Sequence, residues 1–167
     1  MSEKSKILGV QEIDQKIKRL AWQLYENNVS EKEIIVVGIS ERGLILAKQL
    51  VAHIQEISKI KTKLAHLELD KDNPYNKEVS LNLEEKEYAE KVVILVDDVL
   101  NSGKTLMYAA KHFLTTPLSK LSTLVLVIRY SLSYCFLMVS NLYGSCVRRL
   151  INSRHLISAT PLNILLQ

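Results

Sequence analysis

Beyond position 98 this chain of 167 residues contains no aspartate or glutamate. All 18 acidic residues fall in residues 1–98, together with 15 of the 22 basic ones, so that part carries 15 − 18 = −3 and residues 99–167 carry +7. The overall +4 therefore hides two halves of opposite sign. A basic half raises contact with nucleic acid or a membrane surface. Its cations, however, are scattered singly except for Arg148-Arg149, and they draw no stripe along one face. Cysteine is scarce as well. Cys135 and Cys146 stand eleven apart with no His/Cys cluster of zinc spacing beside them, which leaves no metal-finger pattern and makes reduced thiols in a cytoplasmic protein the expectation. Met1 to Lys6 lacks the apolar stretch of a secretory signal. No run of 18 apolar residues is free of charge: the most apolar span, Leu124–Val139, contains Arg129 and several serines.

What is present fits one globular domain, with 47% hydrophobic and 24% charged residues. Val10, Ile13, Ile17, Leu20, Ala21 and Leu24 recur at helical spacing, which predicts an amphipathic helix over 10–27 with Trp22 and Tyr25 flanking its buried face. Ile34–Ile39 reads as a strand, and Gly38 permits a tight exit from it. A helix is expected from Gly43 to about Ile57, with His53 on it a surface or boundary residue. Lys61–Leu69 alternates as a half-exposed strand should. The stretch from Asp70 to Lys77, with Asn73-Pro74-Tyr75-Asn76, reads as a loop, either mobile or a plain hairpin turn. Val79–Leu83 is a return strand, and Glu84–Glu90 a solvated acidic connection. Thr105–Leu114 is helical and stopped near Pro117, and Leu121–Ile128 is another strand. The alternation of strands and helices predicts an α/β fold: a doubly wound, mostly parallel sheet flanked by helices.

The chemistry concentrates in Val92–Thr105, Val-Val-Ile-Leu-Val-Asp-Asp-Val-Leu-Asn-Ser-Gly-Lys-Thr. Five apolar residues make a buried parallel strand, and Asp97 and Asp98 stand at its C-terminal end, where open α/β sheets place their ligands. A short polar turn then leads into a helix whose first amides lack intrahelical acceptors. Carboxylates for vicinal hydroxyls beside amides for an anion suit a sugar phosphate. The Gly-Lys-Thr at 103–105 also occurs in nucleotide P-loops. That motif requires a glycine five positions before its Gly-Lys pair, and here the position is Asp98. A bare helix cap would need only one aspartate.

These residues resemble the phosphoribosyl-pyrophosphate (PRPP) motif of type I phosphoribosyltransferases. Val36-Val37-Gly38-Ile39-Ser40-Glu41-Arg42-Gly43 is similar to the pyrophosphate loop that follows the first core strand in that family. In character the chain looks most like the branch holding the pyrimidine-operon regulator and uracil phosphoribosyltransferase, over residues 8 to 129. The resemblance implies transfer of ribose 5-phosphate from Mg²⁺-bound PRPP to a nucleobase, with uracil as the first guess, and release of pyrophosphate. It also implies that Asp97 and Asp98 hold the ribose hydroxyls. The 5′-phosphate would lie against Val99, Leu100, Asn101, Ser102, Gly103, Lys104 and Thr105. Ser40, Glu41, Arg42 and Gly43 would wrap the pyrophosphate, with Arg42 supplying donors as it leaves and Glu41 pointing away. Asp97, Asp98 and Arg42 are thus the expected catalytic residues. Magnesium is expected to be held mainly by PRPP and water, with no protein metal ligand assigned. The family implies a flexible loop near 70–77 that closes over the substrate, and dimers are common in it. Two other readings stay open: a PRPP- or nucleotide-sensing regulator that binds RNA without turnover, and an inactive remnant.

Residues 130–167 break the pattern. Periodicity is lost, acidic residues are absent, and serine, leucine and both cysteines crowd in. The expected organisation is a phosphoribosyltransferase-like domain over 1–129 and an atypical tail over 130–167. A frameshift near Ile128–Tyr130 accounts for such a change, the rival being a divergent native tail. Translating the gene in its other two frames decides between them. A scrambled tail leaves one sheet face exposed or badly covered, which predicts poor solubility.

Overall fold

The computed structural model describes residues 9–69 and 79–128. The first helix, α1 (Val10–Glu26), opens where the Gly9 N–H donates to Glu12 Oε2 at 2.6 Å. It buries Ile17, Ala21 and Leu24, four and three apart. Its C-terminal end is pinned to the sheet. Asn28 is buried and donates from Nδ2 to the Leu24 carbonyl (2.7 Å), while the Lys120 ammonium donates to Asn27 O and Asn28 Oδ1, both at 3.0 Å.

Strand β1 (Glu33–Ile39) leads into α2 (Ser40–Ile57), followed by β2 (Lys61–Glu68), β3 (Ser80–Leu81), the single-turn α3 (Glu85–Tyr88), β4 (Val92–Leu100), α4 (Lys104–Phe113) and β5 (Lys120–Ile128). The sheet order is β3-β2-β1-β4-β5, parallel throughout except for the antiparallel β2–β3 pair. Ile34 to Val37 and Val92 to Val96 are buried on both faces, which is why these central strands read as continuous β-branched and leucine runs rather than as alternations.

Successive residues leave a strand on opposite faces, and two cores result. Ile34, Val36, Val92, Ile94 and Val96 pack against α1 and α2. Ile35, Val37, Ile39, Val93 and Leu95 pack against α3 and α4 on the other side. The chain leaves β1 through α2 toward β2, and leaves β4 through α4 toward β5. The strand order therefore reverses between β1 and β4, and the crevice beyond their carboxyl ends is where doubly wound sheets receive ligands.

The structure departs from the sequence reading in four places. Helix α2 begins at Ser40 rather than Gly43, because Ser40 adopts φ 57° and turns the chain in one residue. Strand β4 runs on through both aspartates to Leu100, since β5 continues to pair with it. The expected return strand contracts to Ser80–Leu81. The acidic connection contains α3, whose Tyr88 is buried with its ring edge-on to Phe113 at 5.1 Å between centroids. The loop expected at 70–77 and the tail from 130 onward lie outside the described residues.

Candidate functional site

The two aspartates occupy a stretch of β4 that has outrun β1. The last β1–β4 pair is Gly38 with Val96, whereas pairing with β5 continues through Leu100 with Ile128. Asp97 follows the row of Val93 and Leu95 on the α4 side and is 3% exposed. Its Oδ1 accepts the Asp98 N–H at 3.0 Å. Asp98 follows the row of Val92, Ile94 and Val96 on the α2 side, where the Arg42 guanidinium reaches its Oδ2 at 3.7 Å. Arg42 is 81% exposed, so this pair is a loose, hydrated contact worth well under about 1 kcal/mol.

Two glycines set this proximity. A Cβ on Gly38 would lie 2.4 Å from the Leu44 Cα, and one on Gly43 would lie 2.5 Å from the Val96 carbonyl oxygen. The first turn of α2 thus rests directly on the backbone of β1 and β4. Gly43 is buried in that contact, so helix–sheet packing by itself requires a glycine there. Ser40 and Arg42 stand beside it, and Glu41 is exposed.

On the other side, Asn101 and Ser102 are exposed at the end of β4, and Gly103 caps α4 at φ 75°, in the left-handed region that favours glycine. Ser102 Oγ accepts the Lys104 N–H at 3.4 Å, and the first intrahelical bond runs from Met107 N–H to Gly103 O. The amides of Lys104, Thr105 and Leu106 belong to the turn that has no intrahelical acceptors, and no acidic side chain occupies it. That end attracts an anion. Val99 and Leu100 are strand residues paired with Val127 and Ile128, and Leu100 packs into the α4-side core.

Sequence reasoning brought Ser40 to Gly43 and Asp97 to Thr105 to the same end of the sheet, and there they lie. It named Ser40 but missed His66. Ser40 Oγ and His66 Nε2 are both buried and without a hydrogen-bond partner. His66 is paired in register with Gly38 on β2. A histidine two residues after Leu64, in a row that packs under α2, was the available signal.

Comparison with known proteins agrees with this architecture. A family model described as the phosphoribosyl transferase domain matches residues 4–132. The chain belongs to that family, and the match ends just past Arg129. "Bifunctional protein PyrR" of Brevibacillus brevis is 33% identical over 115 residues, covering 65% of this chain and 64% of that protein. The protein of the same name from Oceanobacillus iheyensis is 28% identical over 120 residues, 65% of each chain. The chain thus spans just under two thirds of the length of these relatives. Among solved structures, a hypoxanthine-guanine phosphoribosyltransferase from Bacillus anthracis superposes with TM-score 0.63 at 22% identity, covering 80% of this chain and 79% of the other. Trypanosoma cruzi hypoxanthine phosphoribosyl transferase gives TM-score 0.64 at 15% identity, covering 80% and 76%. At these identities the two structures speak for the fold.

Proposed function

We propose that this protein transfers ribose 5-phosphate from PRPP to a nucleobase and releases pyrophosphate, uracil being the base we favour. The observation that carries this reading is the pair Asp97-Asp98 at the strand-order reversal, with the start of α2 on one side and the Gly103-capped start of α4 on the other. Asp98 accepts hydrogen bonds from the ribose hydroxyls, and buried Asp97 holds the local backbone and adds negative charge beside the sugar. The turn from Asn101 to Thr105 holds the 5′-phosphate through amides and hydroxyls. Ser40 and Arg42 face the pyrophosphate, Arg42 exchanging its loose contact with Asp98 for the departing oxygens. As the bond from C1 to pyrophosphate breaks, positive charge grows on the ribose and negative charge on the leaving group. Carboxylates near the first and donors near the second stabilise both, with no protein nucleophile required.

Magnesium fits this site as a guest of the ligand. The carboxylate oxygens of Asp98 suit a hard cation, and no group of three or more His, Cys, Asp or Glu that could hold a metal exists among the described residues. Asp98 and water would complete a coordination supplied mainly by PRPP. When bound, the ion neutralises phosphate charge.

A second reading draws on the similarity to proteins named bifunctional: a PRPP- or nucleotide-sensing regulator that binds RNA. A cytoplasmic setting and a homodimer accompany either reading. We also read residues 130–167 as an atypical tail appended to the domain.

Calorimetric titration of Mg²⁺-PRPP into the folded chain, beside an Asp97→Asn/Asp98→Asn double variant, tests the site. Saturable binding abolished in the variant is the expected result. No heat from the folded wild type would refute the reading and leave an inactive remnant. Release of pyrophosphate on adding uracil separates the enzyme from the sensor.

A further inference from the structure

Buried polar atoms without partners are uncommon in folded proteins, and each one costs stability. Two of them flank one glycine here. Ser40 Oγ lies at the start of α2, two residues after Gly38, and His66 Nε2 lies on the strand paired with Gly38. The absent side chain of Gly38 brings α2 down onto this point, with the Leu44 Cα 2.4 Å from where a Cβ would stand. His66 shares the row of Leu64, which packs into the α1/α2-side core, so its side chain leaves β2 on that face, beside Gly38.

The residue is held in place. Its backbone N–H donates to Asn82 Oδ1 at 2.7 Å, and its carbonyl accepts the Asn82 N–H at 3.2 Å. Nδ1 lies 3.7 Å from the Glu68 carboxylate, beyond hydrogen-bond distance, so the ring proton is free to sit on Nε2, the buried nitrogen. Ser40 adds backbone strain, holding φ 57° without being glycine. Strain at Ser40 and unpaired polarity both there and on the strand paired with Gly38 mark a place where a ligand completes the set.

We propose that His66 is a positioning residue for the pyrophosphate end of the ligand, acting through Ser40. This rests on the function proposed above and adds to its site a residue from β2 outside the motifs. In the liganded state Ser40 O–H donates to an oxyanion oxygen, and the Ser40 oxygen takes its remaining hydrogen bond from His66 Nε2–H. Both orphaned atoms are then paired, and the hydroxyl is fixed in the orientation that meets the leaving group.

The test uses the full chain with inorganic pyrophosphate and ribose 5-phosphate as separate calorimetric probes, alongside thermal unfolding without ligand. His66→Leu raises the unfolding midpoint, because it removes an unpaired buried nitrogen, yet weakens pyrophosphate binding about tenfold or more. Ribose 5-phosphate affinity stays at the wild-type value. His66→Gln, which returns an N–H near the Nε2 position, recovers most of the pyrophosphate affinity. Ser40→Ala repeats the His66→Leu pattern. Unchanged pyrophosphate affinity in His66→Leu, or equal loss for both probes with a lowered midpoint, overturns the assignment. A wild type that binds ribose 5-phosphate but not pyrophosphate overturns it while sparing the parent reading; one that binds neither overturns both.

Discussion

Replacing Gly43 by alanine asks whether the site depends on the contact between α2 and β4. By helix propensity alone the change should stabilise, since alanine is favoured over glycine inside a helix by about 1 kcal/mol. Gly43 is the fourth residue of α2, and the new Cβ would stand 2.5 Å from the Val96 carbonyl oxygen. A relaxed carbon–oxygen contact needs about 3.4 Å, so something must yield by about 0.9 Å. Val96 is the immobile partner, because its strand is paired with Gly38 on one side and Leu124 on the other. The helix therefore lifts. Overpacking of this kind costs about 1–3 kcal/mol, which exceeds the propensity gain over most of that range. The net expectation is a loss of about 1 kcal/mol and a midpoint lower by about 2–4 °C for a chain of this size. Lifting α2 also carries Ser40 and Arg42 away from Asp98, and a displacement near 1 Å at a catalytic site costs about a hundredfold in turnover. Thermal unfolding with and without Mg²⁺-PRPP measures the stability and the affinity, and pyrophosphate release on adding uracil measures the turnover. A Gly43→Ala protein as stable as the wild type or more so, with ligand affinity intact, would refute the argument.

Gly103→Ala places a side chain at φ 75° and should cost about 1–2 kcal/mol, with Gly103→Asn losing less because asparagine tolerates that region. Urea unfolding of the two variants orders them, and equal stabilities would remove the left-handed cap from the account. Burial holds the His112 pKa below its ordinary value, with the Glu85 carboxylate opposing. The fold therefore prefers the neutral ring, while the unfolded chain takes up a proton near pH 6.5. Stability is complete above that value and declines as pH falls toward the depressed folded pKa. Urea midpoints between about pH 7.5 and 5.5 should fall, less steeply in His112→Gln, and midpoints that rise on acidification would contradict the burial argument.

The central strands were legible because β-branched runs buried on both faces have few alternatives, and the position of Asp97 and Asp98 followed from the strand that carries them. Helix α1 was readable from its three- and four-residue spacing. His53, expected at a boundary, lies at the α1–α2 junction, its Nδ1 3.3 Å from Glu56 Oε2 and its Nε2 3.7 Å from Asp14 Oδ1. Legibility failed where tertiary contact decides. Four glutamates around Tyr88 look solvated in a linear reading, yet the tyrosine turns inward onto Phe113 and draws a helical turn with it. The start of α2 was misplaced because a serine with positive φ has no sequence signature. The full length of β4 was hidden because its last residues depend on β5, which lies 20 residues downstream in the chain. His66 escaped notice because one polar residue in an alternating strand looks like its solvent face.

The reversal of strand order has a mechanical consequence. One half of the molecule, β1-α2-β2, carries Ser40 and Arg42, and the other, β4-α4-β5, carries the carboxylates and the capped helix. Within the sheet the two halves meet along five residue pairs, Ile34 with Val92 through Gly38 with Val96. A ligand that touches both halves spans the open end of that seam like a rivet, so its binding energy is spent against the parting of two strands. Occupancy and the integrity of the sheet become one quantity, and whatever loosens the seam loosens the ligand with it.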